Sequence, residues 1–253
     1  MPETTEIAAR LDDAARYARA TAQLAEPLTI EQAYRVQAAS LGRRYARGEQ
    51  RVGIKMGFTS RAKMAQMGID EMIWGRLTDA MLVEDGGIIR FDNYVHPRVE
   101  PEIAFLLKAP LGGSLSPPAA LAAVEAVAPA LEIIDSRYEN FKFSLTDVVA
   151  DNSSSSSFVI GPWASPTQDL SNLGMIMEID GVARQIGSSA AILGNPIRSL
   201  VAAARLAAAA GEPLRAGDIV MAGGATAAEA LAIGNRVRLE VQRLGRVEFS
   251  VHG

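Results

Sequence analysis

The chain has 253 residues, of which 49% are hydrophobic and 21% are charged, and its formal net charge is −4. A chain of this length can bury a sizeable core, so we expect one large globular unit. The acidic balance gives no basic footprint for nucleic acid. The absence of cysteine excludes disulfides, thiolate nucleophiles and cysteine-ligated metals, and with only two histidines a metal site must be built mainly from oxygen.

The N-terminal stretch MPETTEIAARLDDAARYARA is acidic and amphipathic, which is unlike a signal peptide. No apolar run in the sequence approaches the roughly 20 residues that a membrane span needs. We therefore expect a cytoplasmic protein that binds neither a membrane nor nucleic acid. The lack of cysteine also suits a reducing compartment.

Two helices are predicted at the start of the chain. Apolar residues at helical spacing indicate a first helix over 5–23, and TIEQ at 29–32 is a capping box that opens a second helix reaching about Tyr45. RVGIKMGFTS at 51–60 then indicates a short strand, followed by a helix over 61–68. We expect residues 1–50 to be a helical portion that precedes the rest of the fold.

The remainder of the chain is rich in predicted strands. They are expected at 102–107, 130–134, 158–161, 175–179, 218–222, 236–242 and 246–251. Helices are predicted at 117–127 and over NPIRSLVAAARLAAAAG at 195–211, and hairpin turns at 180–181 and 244–245. So few helices between so many strands predict an α+β fold with mixed or antiparallel sheets.

Three glutamates interrupt apolar segments. Glu100 and Glu102 in RVEPEIAFLL face one side of an extended chain, and Glu132 lies within the apolar run PALEIIDS. Burying three carboxylates together is unfavourable without a cation, whereas three carboxylate oxygens suit Mg²⁺ or Mn²⁺. The alternative is that each glutamate is separately solvated at a strand surface.

Lys55, flanked by glycine and apolar residues in GIKMG, is a candidate for an inward-facing proton carrier or carboxylate partner whose pKa is lowered by burial and a nearby cation. A surface lysine is the alternative. Gly223, Gly224 and Thr226 in MAGGATAA follow a predicted strand, and such a turn can offer backbone N–H groups to an anion. Asp79 in GRLTDAML fits an ordinary turn or helix start equally well.

A serine-rich run, NSSSSS at 152–157, lies between the apolar segments DVVAD and FVIG. A flexible linker is one interpretation of this composition. Six residues are too few to separate two domains, so we predict a loop at a functional site instead.

Several long stretches, in this order, resemble the hydratase and decarboxylase branch of the fumarylacetoacetate hydrolase superfamily. They are GIKMGFTSRAKMAQMG, HPRVEPEIAFLL, PALEIIDSRYENFKF, VVADNSSSSSFVIG and GEPLRAGDIVMAGGATAA. The resemblance extends from about residue 29 to the C-terminus. It implies an α+β fold whose β-rich core of mixed sheets is rolled around the active site, with the core at 51–253 and the helical portion at 1–50 as parts of one compact unit.

The resemblance also implies site residues. A divalent metal, usually Mg²⁺ with Mn²⁺ as an alternative, is implied at the three glutamates found above. Catalytic roles are implied for Lys55 and Asp79, and a substrate-binding role for the loop of Asp151, Asn152 and Ser154. Two departures from the family pattern stand out: Pro101 between the paired glutamates is expected to require a sheet edge or a bulge, and Asn-Ser-Ser replaces the usual Asn-Ala-Ser.

The activity implied by the resemblance is decarboxylation of 2-oxo-3-hexenedioate to 2-hydroxypenta-2,4-dienoate and CO₂ in aromatic meta-cleavage catabolism. Hydration of 2-hydroxypenta-2,4-dienoate is the alternative, and a catalytically idle subunit is a third reading that the three intact carboxylates oppose. The resemblance further implies an oligomer and a complex with a partner hydratase. Lys142 in NFKF is a candidate to place the distal carboxylate of the diacid, with a solvated loop lysine as the alternative.

Overall fold

The computed structural model describes residues 2–60, 64 and 71–253. In these residues the α-helices are α1 (Pro2–Arg16), α2 (Ile30–Ala46), α3 (Pro117–Ala122), α4 (Leu145–Ala150) and α5 (Pro196–Ala209). None of these helices has both the length and the apolar character that crossing a membrane requires.

The strands, in chain order, are β1 (Arg51–Gly57), β2 (Ile73–Thr78), β3 (Leu82–Val83), β4 (Ile88–Arg90), β5 (Pro97–Leu107), β6 (Val124–Asp135), β7 (Ser155–Ile160), β8 (Gly174–Ile179), β9 (Val182–Ser188), β10 (Ile219–Met221), β11 (Glu229–Ala230), β12 (Arg236–Val241) and β13 (Gly245–His252). The larger sheet has the order β2-β1-β10-β5-β6-β7-β3, with β11 also paired to β5. The smaller sheet has the order β4-β13-β12-β8-β9.

Both sheets are mixed. Strand pairs β1–β10, β3–β7 and β4–β13 are parallel, while the other pairs are antiparallel. One buried apolar cluster includes Phe105 of β5, Leu131 of β6, Leu239 of β12 and Phe249 of β13, so the two sheets share a core. Full burial of one such side chain contributes about 1.5–3 kcal/mol. The predicted α+β fold with mixed sheets is confirmed.

The N-terminal helices form a second apolar cluster with α4. Leu11 of α1, Val36 of α2 and Val149 of α4 are buried together in it. Gln37 of α2 is also buried, and its side-chain amide donates hydrogen bonds to Val149 O at 2.7 Å and Trp74 O at 3.2 Å. Helix α2 therefore fixes α4 against β2, and the serine-rich run follows directly after α4.

Local signals in the sequence predicted several helix ends and turns. Thr29 and Gln32 form the expected capping box of α2. Asn195 caps α5, which has Pro196 as its first residue. Asp180 and Gly181 adopt φ values of 56° and 75° between β8 and β9, as a tight hairpin requires. These predictions are confirmed, whereas the helix expected over 61–68 lies outside the described residues apart from Met64.

Two predicted helices extend too far. The first ends at Arg16 rather than at 23, since Ala18 has a positive φ of 49° and Thr21 N donates to Arg137 O at 2.8 Å. The helix expected over 117–127 ends at Ala122 because β6 begins at Val124. Pairing with β5 and complete burial of Val124 outweigh the helix propensity of its alanine neighbours.

Pro101 does not produce a bulge. It lies inside β5, opposite Leu131 in regular register with β6. On its other side β10 ends at residue 221 and β11 begins at 229, and Ala225 N donates to Pro101 O at 2.9 Å across this gap. The missing N–H of proline faces the gap between two partner strands, so the regular ladder is preserved there.

Candidate active site

The three glutamates converge at the centre of the larger sheet. Glu100 and Glu102 project from one face of β5, and Glu132 of β6 lies directly opposite Glu100. One carboxylate oxygen from each residue lies within 4.8 Å of the others. The expected convergence is confirmed, and separate solvation is excluded because Glu102 and Glu132 are fully buried.

The electrostatics of this cluster favour a cation. Burial, followed by the charge of Glu132, raises the pKa of Glu102 well above its usual value. The N–H of Gly223 donates to Glu102 Oε2 at 2.7 Å and opposes that shift. Glu102 Oε1 and Glu132 Oε1 are buried with no hydrogen-bond partner among the described residues. Such oxygens fit a hard divalent ion, whose positive charge offsets the repulsion between the carboxylates.

Lys55 faces this cluster from β1, as predicted. In the sheet Lys55 lies between Gly75 of β2 and Met221 of β10. Its side chain is buried, and its Nζ lies 2.9 Å from Glu132 Oε2. Burial lowers the pKa of Lys55, but the charges of the three glutamates outweigh burial and raise it. In the metal-free cluster the pKa shift is therefore upward, and the lowering expected beside a bound cation stays a prediction.

A cavity of about 140 Å³ lies beside the carboxylates. Lys55, Glu100 and Gly224 line its polar end. The rest of its wall is largely apolar and includes Phe58, Ile73, Ile134, Phe141, Phe143 and Val148. An apolar wall excludes water and strengthens the electrostatic interactions at the polar end.

The serine-rich run supplies one side of this cavity. Asn152, Ser153 and Ser154 have φ values of 49°, 52° and 59°, so three consecutive non-glycine residues adopt the left-handed conformation. That conformation costs about 1–2 kcal/mol per residue and occurs mainly where the surroundings hold it. Ser154 lines the cavity, and its buried Oγ has no hydrogen-bond partner in the part of the chain that the structure describes. The second half of the run, Ser155–Ser157, belongs to β7 rather than to a loop.

Asp151 and Asn152 hold the loop in place and do not face the carboxylate cluster. Asp151 Oδ1 accepts from Arg137 Nε at 2.6 Å, and Asp151 Oδ2 accepts from Arg137 N at 3.0 Å. Asn152 exchanges two hydrogen bonds with the backbone of Arg76. Both side chains line a separate polar cavity of about 290 Å³. These contacts give no support to the substrate-binding roles expected for Asp151 and Asn152, which stay predictions.

The glycine turn also supports the cluster. Gly223 N–H does bind an anion, as predicted, but that anion is the Glu102 carboxylate. A Cβ at Gly224 would lie 2.8 Å from Glu100 Oε2, so this position leaves room for the carboxylate. Thr226 Oγ1 donates to Ala227 O at 3.1 Å, and the expected contact between Thr226 and substrate stays a prediction.

Asp79 lies away from the carboxylates. It is exposed, and its Oδ1 accepts hydrogen bonds from Gln50 N and Ala80 N, both at 2.9 Å. It follows the end of β2, four residues beyond Gly75, which is the residue opposite Lys55. The catalytic role expected for Asp79 therefore has no support in its placement, because the side chain caps a turn.

Lys142 is also exposed, whereas its neighbours Phe141 and Phe143 turn inward to line the cavity. The sequence analysis did not assign Phe141 and Phe143 to the site. The alternation of aromatic and charged residues in NFKF was the signal that these two side chains face the same way. Arg137 was missed as well. Its buried guanidinium holds Asp151 and donates to Ser156 Oγ at 2.6 Å, and no local motif in the sequence marks that contact.

Comparison with known proteins agrees with this geometry. Residues 40–252 match the family model described as fumarylacetoacetate (FAA) hydrolase, C-terminal. The chain is 59% identical to a 4-oxalocrotonate decarboxylase of Pseudomonas sp. over 98% of each protein. It is 36% identical to 2-keto-4-pentenoate hydratase 1 of Dechloromonas aromatica, covering 96% of this chain and 95% of the hydratase.

A solved structure is similar over its whole length. The 4-oxalocrotonate decarboxylase from Pseudomonas putida G7, complexed with magnesium and adipate, superposes with a TM-score of 0.95 at 40% identity, covering 99% of this chain and 97% of that one. The matched family model, the sequence relatives and this superposition agree with one another. The chain therefore belongs to the fumarylacetoacetate hydrolase family.

Proposed function

We propose that this chain catalyses the metal-dependent decarboxylation of 2-oxo-3-hexenedioate to 2-hydroxypenta-2,4-dienoate and CO₂. The observation that carries the proposal is the cluster of Glu100, Glu102 and Glu132, with buried oxygens aimed at one point beside a largely apolar cavity. The relative named as a decarboxylase is 59% identical, compared with 36% for the hydratase.

The metal is Mg²⁺, with Mn²⁺ as the alternative, held by the three glutamates. The magnesium of the solved relative supports this choice, and the all-oxygen donor set suits a hard cation. When bound, the ion supplies Lewis-acid polarisation of the 2-oxo acid end of the substrate.

Decarboxylation needs an electron sink more than a base. The C5–C6 bond breaks and CO₂ leaves, while the bonding electron pair forms the C4–C5 double bond. The pair of the C3–C4 double bond moves to C2–C3, and the carbonyl pair moves onto the C2 oxygen. Charge therefore disappears at C6 and develops at the C2 oxygen, so a site that stabilises the oxygen accelerates the reaction.

The residues of the cavity match these changes in charge. Lys55, with its pKa raised by the carboxylates, presents an ammonium group that stabilises the developing oxyanion. The Ser154 hydroxyl is free to donate a hydrogen bond to the C1 carboxylate. The wall of Phe141 and Phe143 excludes water and favours neutral CO₂ over an ionised carboxylate.

Hydration of 2-hydroxypenta-2,4-dienoate is the second candidate, and the 36% identical hydratase favours it. Hydration requires a general acid and base to activate water and protonate a carbon. Asp79 was the candidate for that role, and its exposed position away from the cavity supports decarboxylation instead. An idle structural subunit is disfavoured because all three carboxylates of the cluster are retained.

The proposal extends to the assembly and the compartment. We propose that residues 1–50 support the catalytic core of 51–253, since Gln37 anchors α2 to both β2 and α4. We also propose an oligomer that associates with a dienoate hydratase, because the dienol product is unstable and such a complex limits its escape. The cytoplasm remains the proposed compartment, on the basis of the cysteine-free sequence.

Turnover by metal-stripped protein tests the activity. We expect no CO₂ release from 2-oxo-3-hexenedioate after chelation, and recovery when Mg²⁺ or Mn²⁺ is restored. A parallel assay with 2-hydroxypenta-2,4-dienoate, followed by loss of dienol absorbance, measures hydration. Activity that is indifferent to chelation contradicts the metal mechanism, and faster hydration than decarboxylation contradicts the assigned reaction.

A further inference from the structure

Arg98 lies next to the candidate active site on the same strand face. In β5, residues 98, 100 and 102 project from one side, because the register with β6 is regular from residue 97 to 106. Arg98 is opposite Ile134 in that register, just as Glu100 is opposite Glu132. The cavity is lined by both Glu100 and Ile134, so it runs from the carboxylates toward Arg98.

The guanidinium of Arg98 is positioned by an aromatic wall residue. It stacks on Phe141, with Cζ 4.3 Å from the ring centroid. Phe141 is held in turn by edge contacts with Phe143 and His96, at centroid distances of 5.4 and 6.2 Å. A guanidinium that stacks by its face keeps its N–H groups, which lie in its plane, available for a carboxylate.

No carboxylate among the described residues compensates the charge of Arg98. Within residues 2–60, 64 and 71–253 it forms no ion pair, although its side chain is half-buried. By contrast, the more deeply buried Arg76 and Arg137 are paired with Glu212 and Asp151. Arg98 is thus a half-buried guanidinium without an ion pair, stacked on Phe141, which lines the cavity. Such a group is suited to an anionic ligand.

The spacing matches the substrate class. Two residues of a strand advance about 6.6 Å, which separates the backbone positions of Glu100 and Arg98. The extended backbone of a six-carbon diacid spans about 6 Å from C1 to C6. A 2-oxo acid end at the glutamates therefore brings the distal carboxylate within reach of the arginine side chain.

We propose that Arg98, held on Phe141, is the residue that binds the distal carboxylate and so selects diacids over monoacids. This inference rests on the proposed function only in taking the 2-oxo acid end to dock at the glutamates. It replaces the role considered for Lys142, which is exposed.

The chemistry gives this contact a distinctive kinetic signature. The distal carboxylate is lost as CO₂, so its charge and its attraction to Arg98 decrease in the transition state. The contact therefore binds the ground state more strongly than the transition state. Removing it is expected to raise KM for the diacid about 10- to 100-fold, while kcat stays equal or increases.

Binding measurements with two stable analogues test the proposal separately from turnover. 2-Oxoadipate and 2-oxohexanoate share a 2-oxo acid end and six carbons, but only the first has a distal carboxylate, and neither has the conjugated double bond. In calorimetry with Mg²⁺ we expect the wild-type protein to prefer 2-oxoadipate about 10- to 100-fold. Arg98→Met should reduce that preference to about threefold or less, with unchanged affinity for 2-oxohexanoate.

Three further variants sharpen the result. Arg98→Lys should keep part of the preference, and Arg238→Met, on β12 of the other sheet, should keep all of it. Lys142→Met should also keep it. Three results overturn the inference. The wild type shows no preference for 2-oxoadipate, or Arg98→Met keeps that preference, or Lys142→Met loses it. Weaker 2-oxohexanoate binding by Arg98→Met assigns Arg98 a purely structural role and overturns it too. These outcomes are independent of whether the enzyme decarboxylates or hydrates.

Discussion

Glu100 and Glu132 lie directly opposite each other on the neighbouring antiparallel strands β5 and β6. Like charges in such a pair repel, and burial of Glu132 strengthens the repulsion. Glu102 adds a third carboxylate on the same face, and Lys55 supplies one positive charge. The pairing therefore stores unfavourable electrostatic energy that a divalent cation relieves.

Glu102→Gln should separate catalysis from stability. We expect it to reduce turnover about a thousandfold or more, since a ligand of the metal is lost. In metal-free protein the same change should raise the melting temperature, because a neutral amide replaces a buried carboxyl group whose ionised form is disfavoured by burial and by Glu132. Activity assays and thermal melts in chelator, with and without added Mg²⁺, measure both effects.

Glu125→Gln is the matched control, since Glu125 is exposed on the same strand as Glu132. It should change neither turnover nor the Mg²⁺-dependent rise in melting temperature. For the wild type, that rise corresponds to about 2.7 kcal/mol at an ion concentration 100 times Kd. If Glu102→Gln shows the same rise, Glu102 is not a ligand of the ion.

Lys55→Met should weaken catalysis without weakening metal binding. The substitution removes the ammonium group 2.9 Å from Glu132 Oε2, so the remaining cluster is more negative and should bind Mg²⁺ at least as tightly. We expect kcat to fall about 100- to 1000-fold as stabilisation of the oxyanion is lost. Calorimetric titration with Mg²⁺ and steady-state kinetics together distinguish a fall in kcat at unchanged metal affinity from a fall caused by loss of the metal.

The metal-free form of Lys55→Met leaves Glu132 buried without its cationic partner, which costs about 3–5 kcal/mol. Added Mg²⁺ should recover most of that stability but not the rate. A variant that regains full turnover at saturating Mg²⁺ would show that Lys55 only assists metal binding.

Asp151 gives a prediction about pH. Burial raises its pKa in the folded protein from 3.8 to about 6, against the opposing effect of Arg137. Between these values the folded protein retains a proton that the unfolded chain releases, so this group adds stability as the pH falls from 7 to 4. Relative to Asp151→Asn, the wild type should gain about 2 kcal/mol over that range.

Denaturant titrations at each pH measure the free energy of unfolding of the wild type and of Asp151→Asn. The contributions of the other titrating groups cancel in the difference between the two proteins. Asp169→Asn is a control of opposite sign. A hydrogen bond from Ser171 N lowers the pKa of the exposed Asp169, so the wild type should lose stability relative to that variant as the pH falls. A pH-independent difference for Asp151→Asn would contradict the raised pKa.

Features set by neighbours in the sequence were predictable. The period of two placed Glu100 and Glu102 on one face. Their convergence with Glu132 was one of two alternatives that the residues left open, and the family resemblance favoured it. The capping box at Thr29 and the turn at Asp180 are likewise local. In the capping box, the turn and the pair of Glu100 and Glu102, the residues that decide the structure lie within a few positions of one another.

Features set by distant contacts were not predictable. Asp151 and Asn152 were expected to bind substrate, but their partners Arg137 and Arg76 lie 14 and 76 positions away. Asp79 likewise became a cap for Gln50 N, 29 residues earlier. The type of a polar residue indicates which groups it can bind. Whether its hydrogen-bonding atoms remain available to a ligand depends on the residues that contact it in the folded protein.

Gly224→Ala should disturb the metal site without removing a ligand. A Cβ at this position meets Glu100 Oε2 at 2.8 Å and its Cδ at 2.9 Å, and both atoms belong to the end of a flexible side chain. The carboxylate can swing away, so the fold should persist while Mg²⁺ affinity and turnover fall about tenfold or more. Gly42→Ala in α2, where the added methyl meets nothing within 4 Å, should instead stabilise the protein by about 0.5–1 kcal/mol with unchanged activity. Calorimetry, melting curves and kinetics on both variants make the comparison, and unchanged Mg²⁺ affinity in Gly224→Ala would place the ion away from Glu100.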